Sequence, residues 1–273
     1  MKKNKSLILS GPYILWMVIF TLIPLGVVAY YAFTDPNTGA FSMKNIMELQ
    51  NYLPVLWQSV LYSLISAVIC LLLGYPVAYF IAHQGEVMQK ILYMLVMLPM
   101  CMSFLLRTLA WVGLLQDTGI INNFLDSTFG FRLELIRTPG AVILGMVYNY
   151  LPHRILPLYT TICKIDRRLV EAAEDLGCDS VQVFRRVMLP LSMPGILSGL
   201  TMVFVPAVST FYISNKLGST ETILIGDIIE RQFKQGDNAN MGAALSLLLM
   251  ILVFVCTGIM NRFGNQEEGG VIA

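Results

Sequence analysis

Three groups of residues have types and spacings that suit chemistry. The first is "VEAAEDLGCDSVQVFRRVMLPLSMPG", Val170 to Gly195, the most charged stretch of an otherwise oily chain. Glu171 offers an acceptor, Ala172 and Ala173 allow close approach, and Gly177, Leu189 and Pro190 punctuate the path. That is the chemistry of docking a partner surface; a solvated loop with an amphipathic anchor is the plainer reading. The second group is Asp227 and Glu230, in "ETILIGDIIERQFKQGDNA" (Glu221–Ala239), with the aromatics Tyr148, Tyr150, Phe204 and Tyr212 on nearby segments. Carboxylates and aromatic faces together suit an amine cation, through ion pairing and cation–π contact, whereas acids in an outer loop are ordinarily just solvated. The third group is Arg107 and Arg154, two cations inside apolar runs. Trp111 beside Arg107 fits an interfacial anchor, with the arginine head snorkelling to phosphates; a gate in a translocation path is the sharper reading. Arg154 falls near mid-membrane between Pro152 and Pro157, where a charge costs at least ~2.5–3.5 kcal/mol. It either braces kinked helices, donating with His153 to carbonyls that the prolines free, or lines a path.

No catalytic constellation accompanies them. The sequence has no Ser/His/Asp or Cys/His arrangement at workable spacing, and its two histidines form no ligand cluster. Five cysteines (Cys70, Cys101, Cys163, Cys178 and Cys256) lack metal-type spacing and read as packing thiols. No metal is expected. There is no Gly-Lys dipeptide, hence no phosphate-cradling G-x-x-x-x-G-K-[ST] loop, so any nucleotide must be bound by a separate polypeptide.

The elements that must position these groups are apolar. Of 273 residues, 56% are hydrophobic and 13% charged, against roughly 25% charged in an ordinary soluble domain. A net charge of +1 gives no field directed at nucleic acid. Six apolar runs, about 13–33, 57–82, 91–115, 141–162, 191–213 and 241–260, are each long enough to cross a bilayer as a helix, and none contains Asp or Glu. The first run follows "MKKNK" but is too long for a signal-peptide core and lacks a small-residue cleavage site, so it reads as a retained helix. With the N-terminus inside, inner segments hold ten Lys and Arg, outer loops six, and the apolar runs two. That bias places both termini in the cytoplasm. Prolines fall in five of the six runs, and Gly195–Gly199 is a small-xxx-small pair.

The inner connection 163–190 reads as two short helices. Leu169, Ala172, Ala173 and Leu176 fall at i, i+3, i+4, i+7 on the first. Gly177 sits where a terminating residue of positive φ is favoured, and Asp179 with Gln182 completes a capping-box pattern for the second. In that helix Val181, Phe184, Val187 and Met188 share a side, and Pro190 with Pro194 sets the angle of return to the membrane.

"EAAEDLG", followed after nine residues by "VMLP", resembles the EAA loop of the permease subunits of ATP-binding-cassette importers. The family pattern is EAA, three residues, G, nine residues, I, one residue, LP. Glu171, Ala172, Ala173, Gly177, Leu189 and Pro190 match it, and Val187 replaces the isoleucine. "LRTLAWVGLLQDTGIINNFL", "GYPVAYFIA" and "LPLSMPGILSG" are similar to the polyamine branch, in particular the B-type permeases of spermidine/putrescine importers. The resemblance covers most of the chain. It implies an all-α integral membrane protein, a six-transmembrane-helix type I importer permease of one domain over residues 1–273, in a bacterial inner membrane. It implies as partners an ATPase dimer that binds the ATP, a second homologous permease and an extracytoplasmic polyamine-binding protein. The matched loop residues would couple the chain to the ATPase. Polyamine-branch relatives carry apolar residues where this chain has His153 and Arg154. That departure keeps open an anionic phosphonate or opine-like solute. An ion-coupled secondary transporter is the remaining alternative; the acid-free spans oppose a carboxylate proton relay.

Overall fold

The computed structural model describes residues 12–35, 39–234 and 238–268, with the side chains of 261 and 263–268 left aside. In chain order the principal helices are α1 (Pro12–Ala32), α2 (Leu53–Ala82), α3 (Glu86–Met97), α4 (Phe104–Leu115), α5 (Ile120–Phe129), α6 (Pro139–Ile162), α7 (Arg167–Asp175), α8 (Ser180–Val208), α9 (Tyr212–Leu217), α10 (Ile225–Lys234) and α11 (Ala239–Glu268). Among the described residues the only β pairing is an isolated bridge between Thr34 and Phe41.

Among the described residues, five stretches combine the length and apolarity needed to cross a membrane: Pro12–Ala32, Lys44–Ala82, Phe104–Phe129, Ser180–Val208 and Ala239–Met260. The run expected at 141–162 forms an unbroken helix of 24 residues, α6, which carries Asn149, His153 and Arg154. The run expected at 91–115 is not one helix. After α3 the chain tightens into a 3₁₀ turn, Leu98–Cys101, and Met102 and Ser103 are extended with ψ of 148° and 132°. Pro99 lies at the start of that turn and brings no backbone donor to it, while Leu98 itself stays helical at φ −55°, ψ −44°. The run expected at 191–213 likewise stops at Val208, and α9 starts afresh at Tyr212.

Among the described residues two turns are π-helical, Val18–Leu22 in α1 and Phe184–Met188 in α8. In each, the residue just before a proline bonds five residues back: Ile23 N–H to Val18 O, ahead of Pro24, and Leu189 N–H to Phe184 O, ahead of Pro190. The wider turn relieves the clash a proline ring makes with the carbonyl four residues earlier, so the helix continues. The second short helix expected in 163–190 is therefore not a separate piece. It runs without interruption into the following span, a correction to the sequence reading.

By packing, the chain divides into two units, Val55–Asp227 with Val253–Ala273, and Met1–Pro54 with Ile228–Leu252. In the first, α6 and α8 form the most extensive helix pair. Its core has two parts. Ala67, Cys70, Val142, Met146, Val203 and Leu217 centre one, and Tyr75, Ala78, Ile155, Leu158, Val183 and Met188 the other. Ser59, Ser63 and Ser66 are fully buried within this apolar packing. Ser59 Oγ accepts from Ile225 N–H at 2.8 Å, while Ser63 returns its hydroxyl to Ser59 O at 2.7 Å. In the second unit Thr34 O accepts from the side-chain amides of both Asn45 and Asn240, which anchors the end of α1.

Candidate functional site

The charged segment 163–190 is built by local hydrogen bonds. Asp166 caps α7 by accepting from Arg168 N–H at 3.0 Å. At the other end Gly177 adopts φ +83°. Cys178 N–H bonds Ala173 O at 3.0 Å, and Gly177 N–H bonds Glu174 O at 2.9 Å. This is the paired pattern of a Schellman motif, in which glycine supplies the left-handed residue. Asp179 then accepts from Gln182 N–H at 2.7 Å and Gln182 Oε1 accepts from Asp179 N–H at 3.4 Å, closing the expected capping box.

The face that this segment buries differs from the one the periodicity suggested. Val170, Ala173 and Cys178 pack on the core, together with Leu189. Leu169 and Leu176 point outward, 49% and 86% exposed, flanked by exposed Glu171 and Ala172. In the second helix Val183 and Met188 are buried while Val181 is 62% exposed, because the π-turn shifts the register of the face. Phe184 stays on the packed side. Its ring meets Tyr75 edge-on at 5.3 Å, and the Tyr75 hydroxyl lies 3.0 Å from Ser192 Oγ. Thus an apolar strip bordered by exposed carboxylates, Glu171 and Asp175 among them, faces outward from a platform pinned at both ends, and Pro190 is exposed where the platform becomes span.

The other predicted residues are not gathered into one lining. Asp227 is buried, 2% exposed, and its Oδ2 accepts from Leu224 N–H at 3.0 Å, so it closes the start of α10. Glu230 pairs with Lys234 at 2.6 Å one helical turn on. Phe204 lines an apolar groove of about 270 Å³ with Val60, Leu64, Leu200, Cys256, Ile259 and Met260. Tyr212 packs near Phe104 and lies under the Lys216 ammonium, 5.9 Å from the ring centre. Tyr148 meets Trp111 edge-on at 5.4 Å, and the Tyr150 hydroxyl donates to Pro206 O at 3.2 Å.

Both arginines are buried. Arg154 is fully enclosed, and its Nη1 donates to Ile196 O at 2.8 Å. The acceptor is thus across the α6–α8 contact and not a carbonyl freed beside it by Pro152 or Pro157. Space for the guanidinium comes from two glycines. A Cβ on Gly74 would lie 3.3 Å from Arg154 Cγ, and one on Gly199 would lie 3.0 Å from Cδ. Arg154 thus links α6 to α8 through one hydrogen bond, and its Nε and Nη2 have no hydrogen-bond partner among the described residues. Arg107 does not snorkel: it is 7% exposed, held inside by the new helix that begins after the Met102–Ser103 break. The straight-helix depth that put its head at the surface does not apply to a broken one.

The description "binding-protein-dependent transport system inner membrane component" matches residues 71–266. The chain belongs to that family. As such it is a multi-pass inner membrane permease subunit, the transporting and non-catalytic part of an ATP-binding-cassette importer. It is 37% identical to the spermidine/putrescine transport system permease protein PotB of Haemophilus influenzae, over 90% of this chain and 92% of that one. It is 35% identical to PotB of Escherichia coli K12, over 87% of this chain and 90% of that one. Among solved structures it resembles a bacterial alginate transporter in complex with its periplasmic protein (TM-score 0.76, 20% identity, 97% of this chain and 96% of that one). It also resembles the inward-facing MetNI methionine transporter (TM-score 0.60, 18% identity, 82% and 98% covered). The fold is that of a type I importer permease.

Within this permease, one tie between helices went unread in the sequence. Gln89 donates to Ala82 O at 3.0 Å and Gln84 O at 2.8 Å, and accepts from the Tyr159 hydroxyl at 3.2 Å. It ties the start of α3 to the end of α2 and to α6, close to the platform's core contacts. A glutamine three residues into a helix after a short turn carries no signal strong enough to foretell this.

Proposed function

We propose that this permease moves polyamines of the spermidine/putrescine class across the inner membrane, with a second, homologous permease and an extracytoplasmic binding protein that delivers the solute. The observation that carries this reading is the 35–37% identity, over about nine-tenths of the chain, to permeases of spermidine/putrescine systems. ATP is bound by a separate ATPase dimer, which docks on the segment 163–190. The outward strip of Leu169, Ala172 and Leu176, with Glu171 beside it, supports that docking. Glu171, Ala172, Ala173, Gly177, Leu189 and Pro190 then transmit closure of the ATPase dimer to the spans, which alternate between inward- and outward-facing states. A rigid helix pair can pass on a push only if both of its ends are fixed. Here the Schellman turn, the capping box and the unbroken path into α8 fix them.

The test of the solute is uptake with the native binding protein present. Labelled spermidine or putrescine should accumulate in an ATP-dependent manner, and each should compete with the other. No polyamine uptake or competition, with competition by a phosphonate or opine-like anion instead, would end the polyamine assignment.

Orientation is part of the same proposal, with 163–190 and both termini in the cytoplasm. In a variant whose only cysteine is the half-buried Cys178, a membrane-impermeant thiol reagent should label nothing in sealed cells. Labelling should appear once the cytoplasmic face is opened. Labelling of intact cells from outside would reverse the topology.

A further inference from the structure

The buried stripe of α8 keeps the α-helical repeat except at one place. From Met188 it passes through Ser192, Gly195, Ile196, Gly199 and Val203, each three or four residues beyond an earlier member. Before Met188 the nearest buried residue is Val183, five positions back, with none buried between them. Five residues of α-helix would turn two side chains about 140° apart. Val183 and Met188 nevertheless pack in the same core cluster. The π-turn Phe184–Met188 brings them round, because it takes up one residue more than an α-turn.

Tyr75 of α2 reports the same phase independently. Its ring meets Phe184 edge-on at 5.3 Å. Its hydroxyl donates to Ser192 Oγ at 3.0 Å, the serine being the donor to Leu189 O. Eight residues of α-helix separate two side chains by about 80°; with one residue absorbed in a wider turn, about 20° remains, and one ring reaches both. The π-turn in α1 contains no buried residue, so no packed face depends on it.

We infer that Pro190 is a positioning residue, holding the one-residue-longer turn that sets the rotational phase of Ser180–Val183, and of the platform joined to it, against the span that follows. The inference deepens the docking reading of 163–190 and rests on it, since it names what fixes the angle of the docked face. The proline ring clashes with Arg186 O in an α-turn and has no N–H to offer it. An alanine at 190 restores that donor, and the α-turn it favours rotates Ser180–Val183 by about 100°. Phe184 then takes the place of Val183 in the core, and Val183 turns outward.

Turn length and proline are thus a matched pair, and the experiment is a cycle of two changes. Pro190→Ala, deletion of the exposed Arg186, and both together are made in the full chain, assembled with its partner subunits in nanodiscs. Deletion alone forces an α-turn on which Pro190 clashes; both together give an α-helix of the original phase. Two quantities are read: the reaction rate of a small maleimide with Val183→Cys in a variant without other cysteines, and stimulation of the ATPase. Each single change should raise the labelling rate and lower the stimulation by at least about fivefold, and the double change should bring both to within about twofold of the wild type. Arg186→Ala, which removes the charge but not the residue, should label as the wild type does. If the deletion alone does not fold, loss in Pro190→Ala with recovery in the double variant decides. Unchanged labelling in Pro190→Ala, a double variant no better than either single one, or Arg186→Ala labelling like the deletion overturns the phase role. Labelling that follows the cycle while ATPase stimulation stays at the wild-type level throughout overturns the docking reading and leaves the phase role standing.

Discussion

Gly177→Val should leave a permease that reaches the membrane at close to normal level but has lost at least about tenfold of its ATP-driven uptake and of its stimulation of the ATPase. Gly177 lies at φ +83°, and a Cβ built there meets nothing within 4 Å of its own chain. The cost is therefore conformational and not one of crowding. A β-branched residue in the left-handed region is a true outlier, costing on the order of 1–3 kcal/mol. The chain can relieve this by giving up the Schellman turn, which would free Cys178 N–H and Gly177 N–H from Ala173 O and Glu174 O. The outward strip on α7 then loses its fixed angle to α8, and ~1.4 kcal/mol of mispositioning is already a factor of ten. Gly177→Asn separates this cause from general damage, because asparagine tolerates the left-handed region and should retain most activity. Gly177→Asp should fall between the two. A well-expressed valine variant with undiminished uptake and ATPase stimulation would refute the coupling role.

Gly195→Val should reduce the amount of folded permease severely, lowering thermal stability by about 1–3 kcal/mol, the usual range for overpacking a close contact. A Cβ at this position would stand 2.6 Å from Thr161 Oγ1, 2.8 Å from Thr161 Cβ and 3.0 Å from Pro157 O. Two of those atoms cannot step aside freely. Pro157 O is backbone, and Thr161 Oγ1 is bonded to it at 2.9 Å. The strain therefore passes into the α6–α8 contact, where Arg154 already reaches Ile196 O. Gly113→Ala is the matched control. That glycine is within α4 with nothing inside 4 Å of a built Cβ, and alanine is the better helix former. Detergent-solubilised protein and a thermal unfolding series would read both. A Gly195→Val permease that melts with the wild type would show that the close approach of α6 and α8 is not needed for stability.

The legible part of this protein is the part in which cause and effect lie a few residues apart. The Asp179–Gln182 capping box and the Gly177 turn were readable because a cap needs an acceptor three residues from its donor, and a left-handed residue favours glycine. The apolar runs were readable because a membrane-crossing helix must satisfy its own backbone and be coated in oil along its whole length. The break at Met102–Ser103 was not, since a proline inside an apolar run can kink, tighten or end a helix. Pro24 and Pro190 do none of these, each being absorbed by a π-turn. Burial was decided only in three dimensions. Arg107 moved from the membrane surface to the interior because its helix restarts at Phe104, and Asp227 turned inward because α10 needed its first donor closed. On α7 the periodicity identified an apolar face, but which apolar residues pack was settled elsewhere. The core formed by α2, α6 and α8 takes Val170 and Ala173, and Leu169 and Leu176 are left facing outward.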